Sequence, residues 1–371
     1  MSDKTKGAVI SLGSVSSKWV AEAMRKYFDQ VDEIQLKEIE VDVGKDGIHV
    51  LYKEKPIDEY DCIYAKGSFR YTEMLRSISS ALSKKCFMPI APSAFSTGQD
   101  KLLTQLRMQQ NGVPTPTTYL AATAEAAKTI FEKINYPIVM KFPKGTQGKG
   151  VMFADSYASA SSMLDALTAL KQPFLIQEYV ETDGIDIRAI VVGNKVVASM
   201  KRKAVEGEKR ANIHAGGTGE AYELDNHAKK IAVRAAEALG TGICGVDMLE
   251  SAKGPLVIEL NLSPGLQGIT KVTKIDVADK IAKWLYENTK ARKKVEKIYG
   301  ASNVLEELGI KGTDKGARLS KEILTNLDFR GNRILLPEVI SNVSELSEKH
   351  EVSIKVKKGE ILIRKFGEIK K

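Results

Sequence analysis

The order of hydrophobic periods near the start of the chain narrows the fold more than any other feature. Gly7-Ala-Val-Ile-Ser-Leu12 is a short apolar run broken by Gly13 and Ser14, the pattern of a buried strand. Behind it Val20, Ala23, Met24 and Tyr27 recur at i, i+3, i+4 and i+7. That spacing marks one face of a helix, with Ser16 or Ser17 as its expected N-cap. A further strand is predicted near Asp61–Ala65, ending at Lys66-Gly67, and a helix over Thr72–Ser83. Strand–helix–strand order predicts an open parallel sheet with helices on its faces, which gathers ligands at the carboxyl ends of its strands. This first α/β domain is assigned to residues 1–97.

The pattern then changes. Two prolines mark Asn111-Gly-Val-Pro-Thr-Pro116 as a loop, because each restricts the residue before it. Strands are predicted at Ile138–Phe142 and Phe174–Val180, with a helix over Ala158–Leu170 between them. Ile185–Val192 and Lys195–Met200 flank Gly193-Asn194 as a hairpin. A helix over Asn226–Leu239 precedes strands at Gly245–Leu249 and Leu256–Leu262. These mixed elements form an α+β body, assigned as 98–182 and 183–289.

Charge sits unevenly on this chain. Against 56 Lys+Arg stand 47 Asp+Glu, a formal +9. From residue 290 onward there are 19 basic and 12 acidic residues, leaving 37 and 35 in the first 289. The body is therefore nearly neutral, and the basic character belongs to a small C-terminal extension, 290–371. There a helical connector over Asn288–Lys297, short helices near 302–308, 318–327 and 337–349, and a hairpin around Lys358-Gly359 are expected. That order allows a winged helix and a nucleic-acid or ribosome contact, or a plain packing domain. Cys62, Cys86 and Cys244 form no CxxC pair, which argues for a reducing compartment and against structural zinc. No apolar run approaches the length of a membrane span and no signal segment is evident. A cytoplasmic protein without membrane contact, working as a homo-oligomer, is expected.

Three groups of residues can carry chemistry. Lys141 lies on a strand ahead of Gly145-Thr146-Gln147-Gly148-Lys149-Gly150. Glycines let backbone N–H groups approach an anion closely, although an ordinary hairpin turn reads the same way. The loop matches neither GxxxxGK[ST] nor GxGxxG. Along Leu256–Leu262, alternation places Glu259 and Asn261 on one face and Ile258, Leu260 and Leu262 toward the core. With Asp247 on the preceding strand, these offer hard oxygen ligands suited to magnesium; strand-edge acids facing water are the alternative. Asp186 and Arg188 share a face of one strand, and Lys201-Arg202-Lys203 follows across the hairpin, with Arg210, Asn212 and His214 beyond. Guanidinium groups recognise carboxylate and phosphate in pairs of hydrogen bonds.

In this order the residues resemble the ATP-grasp superfamily, and within it the RimK-type glutamate ligases, from about Ser96 to Trp284. The matching stretches are Asp100-Lys-Leu-Leu103, Ile138–Phe142 with the glycine loop, Gln177-Glu-Tyr-Val180 and Asp186-Ile-Arg188. They continue with Arg210–His214, Gly245-Val-Asp247 and Glu259-Leu-Asn-Leu-Ser-Pro-Gly265. The resemblance implies a pre-ATP-grasp domain followed by two subdomains that grip ATP. It implies that Lys101, Lys141, residues 145–150, Glu178, Tyr179, Val180 and Asp186 hold the nucleotide. Asp247, Glu259 and Asn261 would hold magnesium, two ions being expected, and Arg210 and Asn212 would act near the γ-phosphate. Lys66, Arg188, Arg202, His214, Ser263 and Gly265 would meet substrate. The implied reaction is amide formation between an acceptor carboxylate, activated as an acyl phosphate, and an amino-acid amine, glutamate above all. The acceptor could be a small molecule, a protein C-terminus or a carrier protein. Departures from the family pattern stand at Arg202-Lys203 and Ala215, at Leu262 and Gln267, and at Tyr64-Ala65-Lys66-Gly67. Fewer arginine forks weaken planar recognition of an acidic substrate.

Overall fold

In the computed structural model the described residues are 4–45, 47–143, 150–171, 173–204, 218–252 and 254–307, with 328–330, 333–335, 352–357 and 360–365 near the C-terminus. The chain divides into two units, Met1–Ser302 and Asn303–Lys371.

The first apolar run forms β1 (Lys6–Ser11), followed by α1 (Val15–Met24) and β2 (Gln30–Gln35). Ser14 caps α1 by accepting from the Ser17 amide at 3.2 Å; Ser16 and Ser17, expected at that position, are already inside the helix and buried. A meander of β3 (Ile39–Gly44), β4 (Gly47–Tyr52) and β5 (Lys55–Pro56) leads to β6 (Cys62–Ala65). The order β2-β1-β6 is parallel throughout, with Ile10 opposite Ile34 and Ala65. α2 (Thr72–Leu82), α3 (Pro92–Gln99) and α4 (Lys101–Gln110) follow.

Next comes a small sheet, β7 (Thr118–Tyr119), β8 (Ile138–Lys141), β9 (Val151–Ala154) and β10 (Leu175–Glu178), in the order β7-β10-β8-β9. It carries α5 (Ala124–Phe131) and α6 (Tyr157–Ala169) over its own core of Phe131, Ile138, Met140, Leu164 and Ile176. A five-stranded antiparallel sheet follows, from β11 (Ile185–Val192), β12 (Lys195–Lys203) and β13 (Thr218–Ala221), then β14 (Ile243–Ser251) and β15 (Gly254–Asn261). Its order is β13-β12-β11-β14-β15.

Between β13 and β14 lies α7 (Asn226–Leu239). Asp225 caps its start and Gly240, at φ 81°, ends it in the left-handed conformation, the usual pairing of cap residues. Its buried residues include Ala228, Ile231, Ala232, Ala235 and Leu239, the face predicted from spacing. α8 (Gln267–Thr273) and α9 (Val277–Glu307) follow. Trp284 of α9 fits against two glycines: a Cβ on Gly242 would lie 2.2 Å from its Cη2, and one on Gly193 equally close to its Nε1. The expected connector over Asn288–Lys297 is part of α9, which runs unbroken through residue 290.

The second unit contains two antiparallel hairpins, β16 (Asp328–Arg330) with β17 (Arg333–Leu335) and β18 (Val352–Lys357) with β19 (Glu360–Lys365). The helices expected near 318–327 and 337–349 lie outside the described residues. No helix among the described residues is long and apolar enough to cross a membrane.

Candidate active site

A cleft of about 870 Å³ is lined by both sheets of the body and by the first domain. Part of its lining is apolar, from Pro116, Val139, Val151, Phe153, Leu249 and Ile258 together with Tyr179 and Val180. Phe153 meets Tyr179 edge to face at 5.9 Å between ring centres. Glu178 is held nearby, accepting from the Thr117 amide at 2.9 Å. A flat aromatic ligand suits such a slot.

Ile258 corrects a sequence expectation. Asp247 pairs with Glu259 but Met248 pairs with Val257, so β15 bulges at this point. The bulge gives two successive side chains the same side. Ile258 therefore lines the cleft beside Glu259, while Val257 enters the core.

Lysines and oxygen ligands meet in the middle. Lys141, at the end of β8, donates to Gln177 Oε1 at 2.6 Å, and Gln177 donates onward to Thr118 Oγ1 at 2.8 Å. Burial drives the Lys141 ammonium down to about 8, although the Glu259 charge opposes this. Lys101 begins α4, where the Asp100 side chain caps the Leu102 and Leu103 amides. Burial lowers its pKa as well. Glu259 is exposed to the cleft, yet it sits within the concavity, where protein displaces much of its water. That desolvation and the Asp247 charge raise its pKa against Lys101, Arg188 and Lys141. Asn261 lines the same floor, and its Oδ1 accepts from the Ser263 amide at 3.0 Å.

A ladder of opposite charges crosses the face of the larger sheet. Arg188 donates to Asp247 from Nε at 2.8 Å and from Nη2 at 2.6 Å. Arg202 holds Asp186 in the same way at 2.5 and 2.7 Å, and its Nη2 also lies 2.9 Å from Asp247 Oδ2. Burial opposes ionisation of Asp247, but Arg188 and Arg202 outweigh it and hold its pKa down to about 2. Burial and the Asp247 charge push Asp186 up to about 6 despite Arg202. The forks of Arg188 and Arg202, expected to meet substrate, hold these carboxylates, and both residues also line the cleft.

The remaining expected residues divide into three sets. Gly150 is described, with φ 78° and Phe142 packed so close that a Cβ would lie 2.2 Å away. Gly145, Thr146, Gln147, Gly148, Lys149, Arg210, Asn212 and His214 lie outside the described residues. Ser263 accepts from the Gly67 amide at 2.9 Å and lines the cleft with Gly265. Lys66 is only 4% exposed, lies over the Tyr64 ring at 5.7 Å, and is lowered to about 8 by burial. Its neighbour Gly67, rather than Lys66 itself, reaches the cleft. Sequence reasoning missed Gln177 as the partner of Lys141, although a buried polar residue in an apolar strand is a usable signal. It also missed Lys37 and the Phe69-Arg70-Tyr71 turn, which line the cleft from the first domain.

Among the described residues no three His, Cys, Asp or Glu side chains gather around one point. Two carboxylates and an amide are present instead, a set that fits magnesium, which is typically completed by substrate phosphates and water.

Residues 98–285 match the RimK-like ATP-grasp domain. A protein named probable alpha-L-glutamate ligase from Vibrio atlanticus (strain LGP32) is 36% identical over 267 residues, covering 70% of this chain and 88% of that protein. One of the same name from Picosynechococcus sp. (strain ATCC 27264 / PCC 7002 / PR-6) is 35% identical over 289 residues, covering 76% and 95%. Among solved structures, the ATP-grasp ligase PsnB with a phosphomimetic variant of its minimal precursor, Mg and ADP superposes with a TM-score of 0.61 at 18% identity, covering 77% of this chain and 99% of that one. A RimK domain ATP-grasp protein from Sphaerobacter thermophilus DSM 20745 gives 0.58 at 19%, covering 76% and 99%. The chain belongs to the RimK-like ATP-grasp family of ligases.

Proposed function

We propose that the protein joins glutamate, through its amine, to a carboxylate-bearing acceptor at the expense of ATP. The observation that carries this reading is the placement of Asp247, Glu259 and Asn261 on adjacent strands within one cleft with Lys101 and Lys141. Phosphoryl transfer asks a protein chiefly for positioning and charge neutralisation. The apolar slot would take adenine, and the two lysines would hold phosphate oxygens. Asp247, Glu259 and Asn261 would hold magnesium, which would supply charge neutralisation at the phosphates. Arg188 and Arg202 keep Asp247 ionised and oriented. The acceptor carboxylate would attack the γ-phosphorus, giving an acyl phosphate and ADP. The amine would then displace phosphate and form the amide. Relatives named probable alpha-L-glutamate ligase support glutamate as the amine.

ADP release measured across an amino-acid panel with candidate acceptors tests the reading. Glutamate should stimulate release, and Glu259→Ala should abolish it; substantial turnover in that variant would overturn the metal assignment. A second reading, polyanion binding by the C-terminal unit, is favoured by the hairpin. Lys355 lies on the face of β18 opposite Val352, Ile354 and Val356, across from Leu362. RNA binding by the full chain that weakens steeply with salt would support it.

A further inference from the structure

The four-stranded sheet has two unlike faces. Ile138, Met140 and Ile176 point into its own core. Val139, Lys141 and Gln177 alternate with them and line the cleft. Gln177 of β10 is directly paired with Thr118 of β7, which puts the two side chains on one face. Lys141 stands opposite Leu175, so Gln177 is its diagonal neighbour on that same face.

Hydrogen bonds along this row run in one direction. The Thr118 hydroxyl donates to the Pro116 carbonyl at 3.0 Å. A carbonyl only accepts and a hydroxyl has one proton, so Thr118 Oγ1 is left to accept from Gln177 Nε2, at 2.8 Å. The amide is thereby turned with Oε1 toward Lys141, whose ammonium donates to it at 2.6 Å. Gln177 is only 4% exposed, and both ends of its amide are engaged.

The segment that starts this row also reaches the opposite wall. The Val257 amide of β15 donates to the Pro114 carbonyl at 2.8 Å, beside the bulge that carries Ile258 and Glu259. Residues Pro114 to Thr118 therefore connect the strand of Glu259 to the row that holds Lys141. Two prolines fix φ within that short span.

The chemistry of the acceptor matters as much as its place. Gln177 is neutral, so it directs the ammonium without cancelling the charge. Among the described residues Lys141 forms no ion pair. A carboxylate at position 177 would form a buried pair with it and compete with an anionic ligand. An ammonium carries three donors, and one bond to Gln177 leaves two for phosphate oxygens.

We propose that Gln177, oriented by Thr118, is a positioning residue that aims the Lys141 ammonium at the phosphates of the nucleotide. This role rests on the phosphate contact proposed above for Lys141. Neither Gln177 nor Thr118 need touch the nucleotide; both act through the lysine.

The test titrates a nonhydrolysable ATP analogue with magnesium into the full chain. Gln177→Leu removes the acceptor and should raise Kd about tenfold. Gln177→Glu keeps the shape but neutralises Lys141, and should raise Kd as well. Thr118→Val frees the amide to turn and should raise Kd about threefold, whereas Thr118→Ser, which keeps the hydroxyl, should match wild type. In a Lys141→Met background none of these changes should add a further loss, because their effect passes through the missing ammonium. A full Gln177→Leu loss beside Lys141→Met would mark a direct contact or a merely structural effect, and would overturn the proposal. Unchanged affinity in Gln177→Leu or in Thr118→Val, or tighter binding in Gln177→Glu, would overturn it too. Unchanged affinity in Lys141→Met alone would instead remove the phosphate contact itself, and the positioning role with it.

Discussion

Arg188 grips Asp247 through two parallel hydrogen bonds, Nε to Oδ1 at 2.8 Å and Nη2 to Oδ2 at 2.6 Å, across directly paired positions of neighbouring strands. Arg202, one strand further along the sheet, reaches the same carboxylate oxygen, Oδ2, at 2.9 Å. A carboxylate held by two guanidiniums is ionised and fixed in direction before any cation arrives. It keeps lone pairs to offer, because a carboxylate accepts at about four sites.

Arg188→Gln leaves Asp247 buried with Arg202 as its one cationic partner. Breaking a buried pair by removing one member costs about 3–5 kcal/mol, and the surviving contact should keep the loss toward the lower end. Urea denaturation measures this. The magnesium concentration needed for half-maximal nucleotide binding should rise severalfold as Asp247 loses its orientation. An unchanged requirement would show that the clamp plays no part in metal binding.

Lys66→Met should stabilise the protein in a pH-dependent way. The folded pKa of Lys66 is lowered from 10.5 to about 8 by burial, so the unfolded chain binds the extra proton between those values. The penalty for burying the charge is fully present below about pH 8 and disappears as pH rises toward 10.5. It is about 3 kcal/mol, at 1.36 kcal/mol per unit. Thermal melts of wild type and variant should differ most at neutral pH and converge above pH 10.

Nucleotide binding should carry a proton signature at Lys141. Free, its ammonium is lowered to about 8; a bound phosphate oxygen favours the charged form. Near pH 8.5, calorimetry in buffers of differing ionisation enthalpy should show proton uptake on ATP binding. Lys141→Met should abolish that uptake and weaken ATP binding about tenfold to a hundredfold.

Gly242→Ala tests the packing of α9. The new methyl would lie 2.2 Å from Trp284 Cη2, and overpacking of this kind costs about 1–3 kcal/mol. A lowered denaturation midpoint with unchanged slope is the expected result. Paired with Trp284→Ala, the double variant should lose less than the sum of the single changes, because the same clash is relieved.

What could be read from the sequence followed periodicity. α7 was legible because its apolar face repeats at helical spacing between two recognisable caps, Asp225 and Gly240. The Glu259 and Asn261 pair was legible because polar side chains inside an apolar strand are conspicuous. Ile258 was not, since a bulge depends on the pairing of β14 with β15 and leaves no mark in either strand alone. The commitment of Arg188 and Arg202 was hidden for a related reason. Their partners Asp247 and Asp186 are set by strand register, at separations of 59 and 16 residues. Lys37 and Arg70 were missed because exposed cations are common on any surface. Only the level ends of three parallel strands bring them to one cleft.

In the proposed reaction an acceptor carboxylate attacks ATP and is then taken up by an amine. An acceptor whose carboxylate carries isotopically heavy oxygen tests it most directly, with mass spectrometry of the released phosphate and of the amide. One heavy oxygen should appear in phosphate for each amide and each ADP formed. Amide formation with unlabelled phosphate, or ADP release without any amide, would rule this reaction out.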